Sequence, residues 1–362
     1  MSRATYRADQ VGSLLRPPDL LKARADFAEG KIGPSDLRYE EDRAILEILA
    51  VQRQTGIDIL TDGELRRGGW LTDVAEGIEG FERRAVSPPW AGRAGSSEPS
   101  EEYVVCGKLR RRRPLALEQA KFLQRHAGAA FKVTLPAPST FMPCFRPEIS
   151  GPAYPAVQDM LRDLAGIVRD ELSALAALGV PYLQLDAPRY ARCAGPELRQ
   201  MQAEGVAADR WLQLAVEADN SCLAGMRRPG LTLGLHVCGE AGGGLLAQAG
   251  AHRVAETLFG ALDVDRFLLR CDTERCAFEP LRFVPADKTV VLGLIDAGRA
   301  ELESAGLLRR RIEEAARQVP LDRLALSPGC GFAPIATGNP IDWDDQRRKL
   351  ELVVRTARSV WG

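Results

Sequence analysis

Histidine is scarce in this chain, with three in 362 residues, at positions 126, 236 and 252. Lysine is nearly as rare: seven of the 48 cationic side chains, the rest being arginine. Aromatic residues make up 6% and the formal net charge is -1, so the chain lacks the broad positive field that nucleic-acid or anionic-membrane binding uses. No apolar run approaches the roughly 20 residues needed to cross a bilayer. The opening MSRATYRADQVGS has no apolar core of a secretory signal, and the expected compartment is the cytoplasm. Eight cysteines in such a chain are expected to be reduced thiols or metal ligands rather than a disulfide framework. No G-x-G-x-x-G follows the first apolar run, which weakens any dinucleotide-binding reading.

What is present is a rhythm. Short apolar, β-rich runs alternate with long amphipathic helical patterns: RADQVGSL, GIDILTDGE, AAFKVTLPAP, PYLQLDAP, LTLGLHVC, RFLLRCD, KTVVLGLID and RLALSPGCG. Eight such runs, each followed by helix, predict an α/β fold with a parallel sheet closed into a (β/α)8 TIM barrel, one domain over residues 1–362. Ser35 is the expected N-cap of the helix after the first run, and Gly179 the expected terminator of the helix ending in ALAALG. Residues 85–115, with a Pro/Gly/Ser-rich stretch and four arginines at 110–113, break the rhythm and are read as an insertion whose arginines form a solvated face.

Chemistry in such a barrel sits at the carboxyl ends of the strands. The reading places there Ser13, Asp62, Glu64, Asp186, His236, Cys238, the segment Arg270 to Cys276, Asp296 and Cys330. His236 and Cys238 share a strand face by the two-residue period, and Cys330 follows the eighth run on the same rim. One imidazole and two thiols suit zinc, with a fourth position open for a substrate thiol held as its thiolate. Buried cysteines and a satisfied histidine would give the same pattern, and spacing alone leaves both readings open.

The segments VGSLLRP, TDGELRRGGW, QLDAP, LHVCGE, DTERCAFEPLRFVP, LALSPGCGF and DDQRRKLELVVRTARSVWG together resemble the cobalamin-independent methionine synthase family. The likeness is to short proteins similar to its C-terminal catalytic barrel, of the UROD/methionine synthase-like type. It implies a zinc-dependent methyltransferase of methionine biosynthesis, moving a methyl group from a methylated folate or similar donor to homocysteine or a related thiol. It implies His236, Cys238 and Cys330 as zinc ligands, and Ser13, Glu64 and Asp186 as contacts to an amino-acid substrate. Asp296 lies near the position of a histidine that protonates the leaving group, although a helix N-cap there is the plainer reading. The partners expected are small molecules, neither nucleic acid nor membrane, with association of further copies left open.

Two departures stand out. Arg270 falls where the family has a fourth zinc ligand, a glutamate, and a guanidinium cannot ligate metal. Either Cys271 or Glu274 replaces it, or three ligands remain, or the metal is lost. Arg270 is therefore read as a contact to an anionic substrate group, the plainer possibility being a salt bridge to Asp272 or Glu274. Gln10 stands in place of a histidine of close relatives. Two other functions stay open: an alkyltransferase joining a sulfonated thiol of the coenzyme M type to an epoxide, and a metal-free barrel that has lost catalysis.

Overall fold

A computed structural model describes residues 5–86, 100–203, 207–239 and 244–362. An antiparallel hairpin, β1 (Ile78–Val86) with β2 (Ser100–Arg111), precedes a six-stranded parallel sheet. The sheet runs in chain order: β3 (Lys132–Pro136), β4 (Tyr182–Asp186), β5 (Thr232–Val237), β6 (Arg266–Arg270), β7 (Thr289–Ile295) and β8 (Leu324–Pro328). These are the last six of the eight expected runs. Every residue of β3, β4 and β8 is buried, as parallel strands covered on both faces require.

The first two runs do not form ladder strands. Ala8 makes a single parallel bridge to Leu326 on β8, and Leu60 a single bridge to Phe131 beside β3. Side chains occupy the backbone groups that a ladder would have used. The Asp58 carboxylate accepts from the N–H of Arg7 and of Ala8, at 2.6 and 2.9 Å. Gln52 accepts from the Thr61 N–H at 2.9 Å and donates to the Thr61 carbonyl at 2.9 Å. Gln10 donates to the Ile59 carbonyl at 2.9 Å and to the Gln52 side chain at 2.7 Å. Among the described residues the ladders therefore end at β3 and β8, and no ring of eight paired strands is closed.

Helices cover the sheet. The Val157–Ala177 helix buries Leu161, Leu164, Val168, Leu172 and Leu175, a stripe at the helical period. Truncating one such leucine to alanine costs about 2–5 kcal/mol. That helix ends at Leu178 with Gly179 at φ 91°, the left-handed position expected of it. Ser35 is not the N-cap: the Pro34–Thr55 helix starts two residues earlier than a Ser35 cap would place it, with Gly33 as N-cap, because Pro34 is preset for the first helical position. The Gly33 N–H is instead satisfied by the Asp36 carboxylate at 3.0 Å.

The excursion expected at 85–115 starts earlier, with the hairpin at Ile78; residues 87–99 lie outside the described residues. Its four arginines at 110–113 are exposed, as expected of a solvated face, and three of them meet acids, Arg111 with Glu171 at 3.1 Å, Arg112 with Glu79 at 3.8 Å and Arg113 with Asp73 at 2.9 Å. No helix among the described residues is long and apolar enough to cross a membrane.

Candidate metal centre

The register of the sheet assembles the site. Asp186 on β4 and His236 on β5 are direct partners, so their side chains leave the same face side by side, and Asp186 Oδ1 lies 3.1 Å from His236 Nδ1. Cys238 follows two residues on, and Cys330 comes from the turn after β8. Imidazole nitrogen and both sulfurs fall within 4.8 Å of one another, and no other group of three potential ligands is found among the described residues. Cys271 is instead hydrogen-bonded to Cys276, and Glu274 is exposed. Neither joins the cluster, so the described chain offers three ligands.

The donor set fits a zinc ion. His236 Nε2 is sealed from solvent and has no hydrogen-bond partner, a state that normally costs free energy and that a metal bond would relieve. Its other nitrogen is held by a carboxylate, the usual support of a ligating imidazole. Burial is the largest single influence on His236 and disfavours the charged ring. The hydrogen bond and charge of Asp186, joined by Cys330, outweigh it and raise the ring above the ordinary imidazole range. Cys330 is pushed down to about 6, first by the hydrogen bond it accepts from Cys238 and then, against burial, by His236, Arg270 and the Gly331 N–H. The same hydrogen bond, with burial, pushes Cys238 well up. The hydrogen bond thus favours the proton on Cys238 and the thiolate on Cys330.

A model of the cobalamin-independent synthase catalytic domain matches residues 7–359. The chain belongs to that family. It is 36% identical over 98% of its length to the uncharacterized protein YxjG of Bacillus subtilis, covering 95% of that protein. It is 24% identical to a methionine synthase of Sulfolobus acidocaldarius, over 89% of this chain and 84% of that one. A Listeria monocytogenes protein provisionally named a vitamin-B12 independent methionine synthase superposes at TM-score 0.79 with 29% identity, each chain fully covered.

Around the cluster, this member of the family places Glu64 with φ 57°, the one non-glycine residue at positive φ among those described. Such a conformation costs roughly 1–3 kcal/mol and persists only where the surroundings hold it. Here Asp62 accepts the Glu64 N–H at 2.9 Å, Thr134 donates to its carboxylate at 2.7 Å, and Arg67 lies at 3.4 Å. Burial raises the Glu64 carboxyl above its ordinary range despite Arg67. Ser13 is buried against Gly331, where a Cβ would strike its hydroxyl. Arg270 donates through Nε to both oxygens of Asp272, at 3.0 and 2.8 Å, while its two Nη groups have no hydrogen-bond partner among the described residues. The plainer alternative, a salt bridge to Asp272, therefore forms, and it leaves the outer fork open. Asp296 is not a helix N-cap: Ser304 caps the next helix, and Asp296 accepts the Gly298 N–H at 2.8 Å and pairs with Arg299 at 3.5 Å. Gln10 is spent on the Gln52 and Ile59 contacts.

The sequence reading missed what lies beneath. Lys132 is fully buried, donating to Asp9 at 2.8 Å, to Gln184 at 2.7 Å and to the Gln10 carbonyl. Its signal was the alternation in FKVTL and YLQLD, which puts Lys132 and Gln184 on one face, yet nothing in spacing says a lysine there is buried.

Proposed function

We propose that the chain is a zinc-dependent thiol methyltransferase that moves a methyl group from a methylated folate or similar donor to homocysteine or a related amino-acid thiol. The observation that carries this reading is the convergence of an orphaned, buried imidazole nitrogen with two sulfurs. His236, Cys238 and Cys330 would hold the ion. When bound, zinc supplies a mild Lewis acid that keeps an acceptor sulfur as its thiolate.

The chain's own groups do the rest. Glu64 and Asp186 receive the ammonium of the acceptor, Ser13 lines its seat, and Arg270 offers its open Nη fork to an anionic group of a substrate. The acceptor sulfur forms its bond to the methyl carbon as the carbon–nitrogen bond of the donor breaks. The electron pair stays on that nitrogen, to which Asp296 passes a proton from solvent.

The same reading includes one closed (β/α)8 barrel as a single domain. The bridges of Ala8 to β8 and of Leu60 beside β3 support it, as does a hydrogen bond from the Asp58 N–H to the Ala8 carbonyl at 3.1 Å. So does the cluster itself: a flat sheet would hold β5 and β8 about 14 Å apart at ordinary strand spacing, whereas their ligand atoms lie within 4.8 Å. The coenzyme M alternative draws support from the Arg270 fork, but that substrate carries no cation for Glu64 and Asp186 to receive.

The test is zinc-loaded protein supplied with methylated folate glutamates and a panel of thiols, with products read by mass spectrometry. Methylation of homocysteine or another amino-acid thiol is expected. Fully zinc-loaded protein that methylates no amino-acid thiol would refute the reading.

A further inference from the structure

Four buried groups stand in line beneath the cluster, and each fixes the next. Gln184 is the hinge of the series. Its side-chain amide touches the Lys132 ammonium on one side, at 2.7 Å, and the Val11 carbonyl on the other, at 2.8 Å. An ammonium can only donate and a carbonyl can only accept. The orientation of the amide is therefore not free: Oε1 must face Lys132 and Nε2 must face Val11. The second N–H of Nε2 then points at Asp186 Oδ1, at 2.8 Å. The same Oδ1 lies 3.1 Å from His236 Nδ1. With Oδ1 acting as acceptor, the proton of a neutral ring belongs on Nδ1, and the lone pair is left on Nε2, the atom with no partner.

Lys132 is itself held. Asp9 accepts from it at 2.8 Å, and Asp9 is fixed from the far side by the Tyr182 hydroxyl at 3.2 Å and by Arg266 at 3.8 Å. Lys132, Gln184 and Asp9 are all essentially inaccessible to solvent. Half-satisfied polar groups in that position would be costly, so the series has one low-energy arrangement.

We infer that Lys132 and Gln184 are positioning residues which, through Asp186, fix His236 as its Nδ1–H tautomer and so present Nε2 to the metal. The inference deepens the zinc reading and rests on it for its purpose, but the tautomer exists in the metal-free protein. Asp186 thereby has two duties on separate oxygens: Oδ1 belongs to this series, while Oδ2 makes no hydrogen bond among the described residues and is left for a substrate.

The experiment is long-range 1H–15N correlation of the imidazole groups in metal-free protein, with pH raised until the 15N shifts show the His236 ring to be neutral, since Asp186 holds it above the ordinary imidazole range, and with zinc affinity measured by chelator competition. The other histidines, at 126 and 252, serve as internal references. The wild type should show the Nδ1–H form for His236; the Nε2–H form would overturn the inference before any variant is made. Gln184→Met and Gln184→Leu remove the donor to Asp186, and in each the ring should become a tautomer mixture with zinc affinity lowered about 10-fold, the usual loss for a group behind a metal ligand. An unchanged tautomer in a folded variant overturns the inference, whatever happens to zinc. A changed tautomer with unchanged zinc affinity overturns its purpose. If wild-type protein binds no zinc at all, the zinc reading fails, and the tautomer of His236 still decides whether the series works as described.

Discussion

Two thiol pairs lie near each other in this protein, and only one of them has the makings of a site. Cys238 with Cys330 and Cys271 with Cys276 each join two sulfurs by a hydrogen bond, and in both pairs burial pushes thiols upward. The first pair has His236 and Arg270 as neighbours, and Cys330 falls to about 6. The second sits among core side chains; burial is the leading influence on Cys271 and drives it well above the ordinary thiol range, with Arg311 too weak to reverse it. Thiol count does not make a metal centre. What separates the pairs is a second donor type and a positive charge close enough to favour the thiolate.

The largest expected effect separates them at once. Cys238→Ser or Cys330→Ser should weaken zinc binding at least about 100-fold, more than loss of a group behind a ligand, whereas Cys271→Ser should leave zinc stoichiometry at the wild-type value. Metal analysis after dialysis against a chelator checks both, and zinc loss in Cys271→Ser would break the comparison.

Alkylation of metal-free protein sharpens it. Only the thiolate reacts, so the rate at the Cys238/Cys330 pair should rise as pH climbs through about 6 and then level, since Cys330 is depressed to that value. Cys271 should stay unreactive over the same range, because its thiol is held protonated by burial. Peptide mapping of iodoacetamide adducts reports the order; earlier labelling of Cys271 would contradict it.

Arg270→Gln tests the charge that distinguishes the pairs. It should move the alkylation midpoint upward and cost about 10-fold in affinity for an anionic substrate, the scale of one charged hydrogen bond. Equal affinities would assign Arg270 to its Asp272 salt bridge alone. The smallest effect is Cys271→Ala, expected to lower unfolding free energy by about 1–2 kcal/mol, in the ordinary range for a core substitution, with zinc affinity unmoved in chelator competition.

Much of this was legible in the sequence. The six strands of the sheet and the register of His236 with Cys238 follow from apolar runs and a period of two, and Gly179 announced its helix end. The first two strands were not legible as single bridges, because that depends on Gln10, Gln52 and Asp58 turning inward to take backbone partners, which no local pattern encodes. Asp296 looked like a helix N-cap because the turn it closes and the helix begun at Ser304 are only a few residues apart. Arg270 was visible as a departure, but the division of its guanidinium between Asp272 and open space depends on the approach of Gly244 and Gly329, where an added Cβ would lie 2.9 and 3.1 Å from its side chain. The Lys132 series was invisible for a similar reason: its members come from four separate segments.

The central claim is that His236, Cys238 and Cys330 hold zinc with a position open to a substrate thiol. X-ray absorption at the zinc edge tests it most directly, by counting sulfur neighbours with and without homocysteine. Two sulfurs and one imidazole nitrogen in the resting protein, becoming three sulfurs on adding homocysteine, is the predicted result. A zinc shell of oxygen and nitrogen alone, or a sulfur count that homocysteine leaves unchanged, would contradict it.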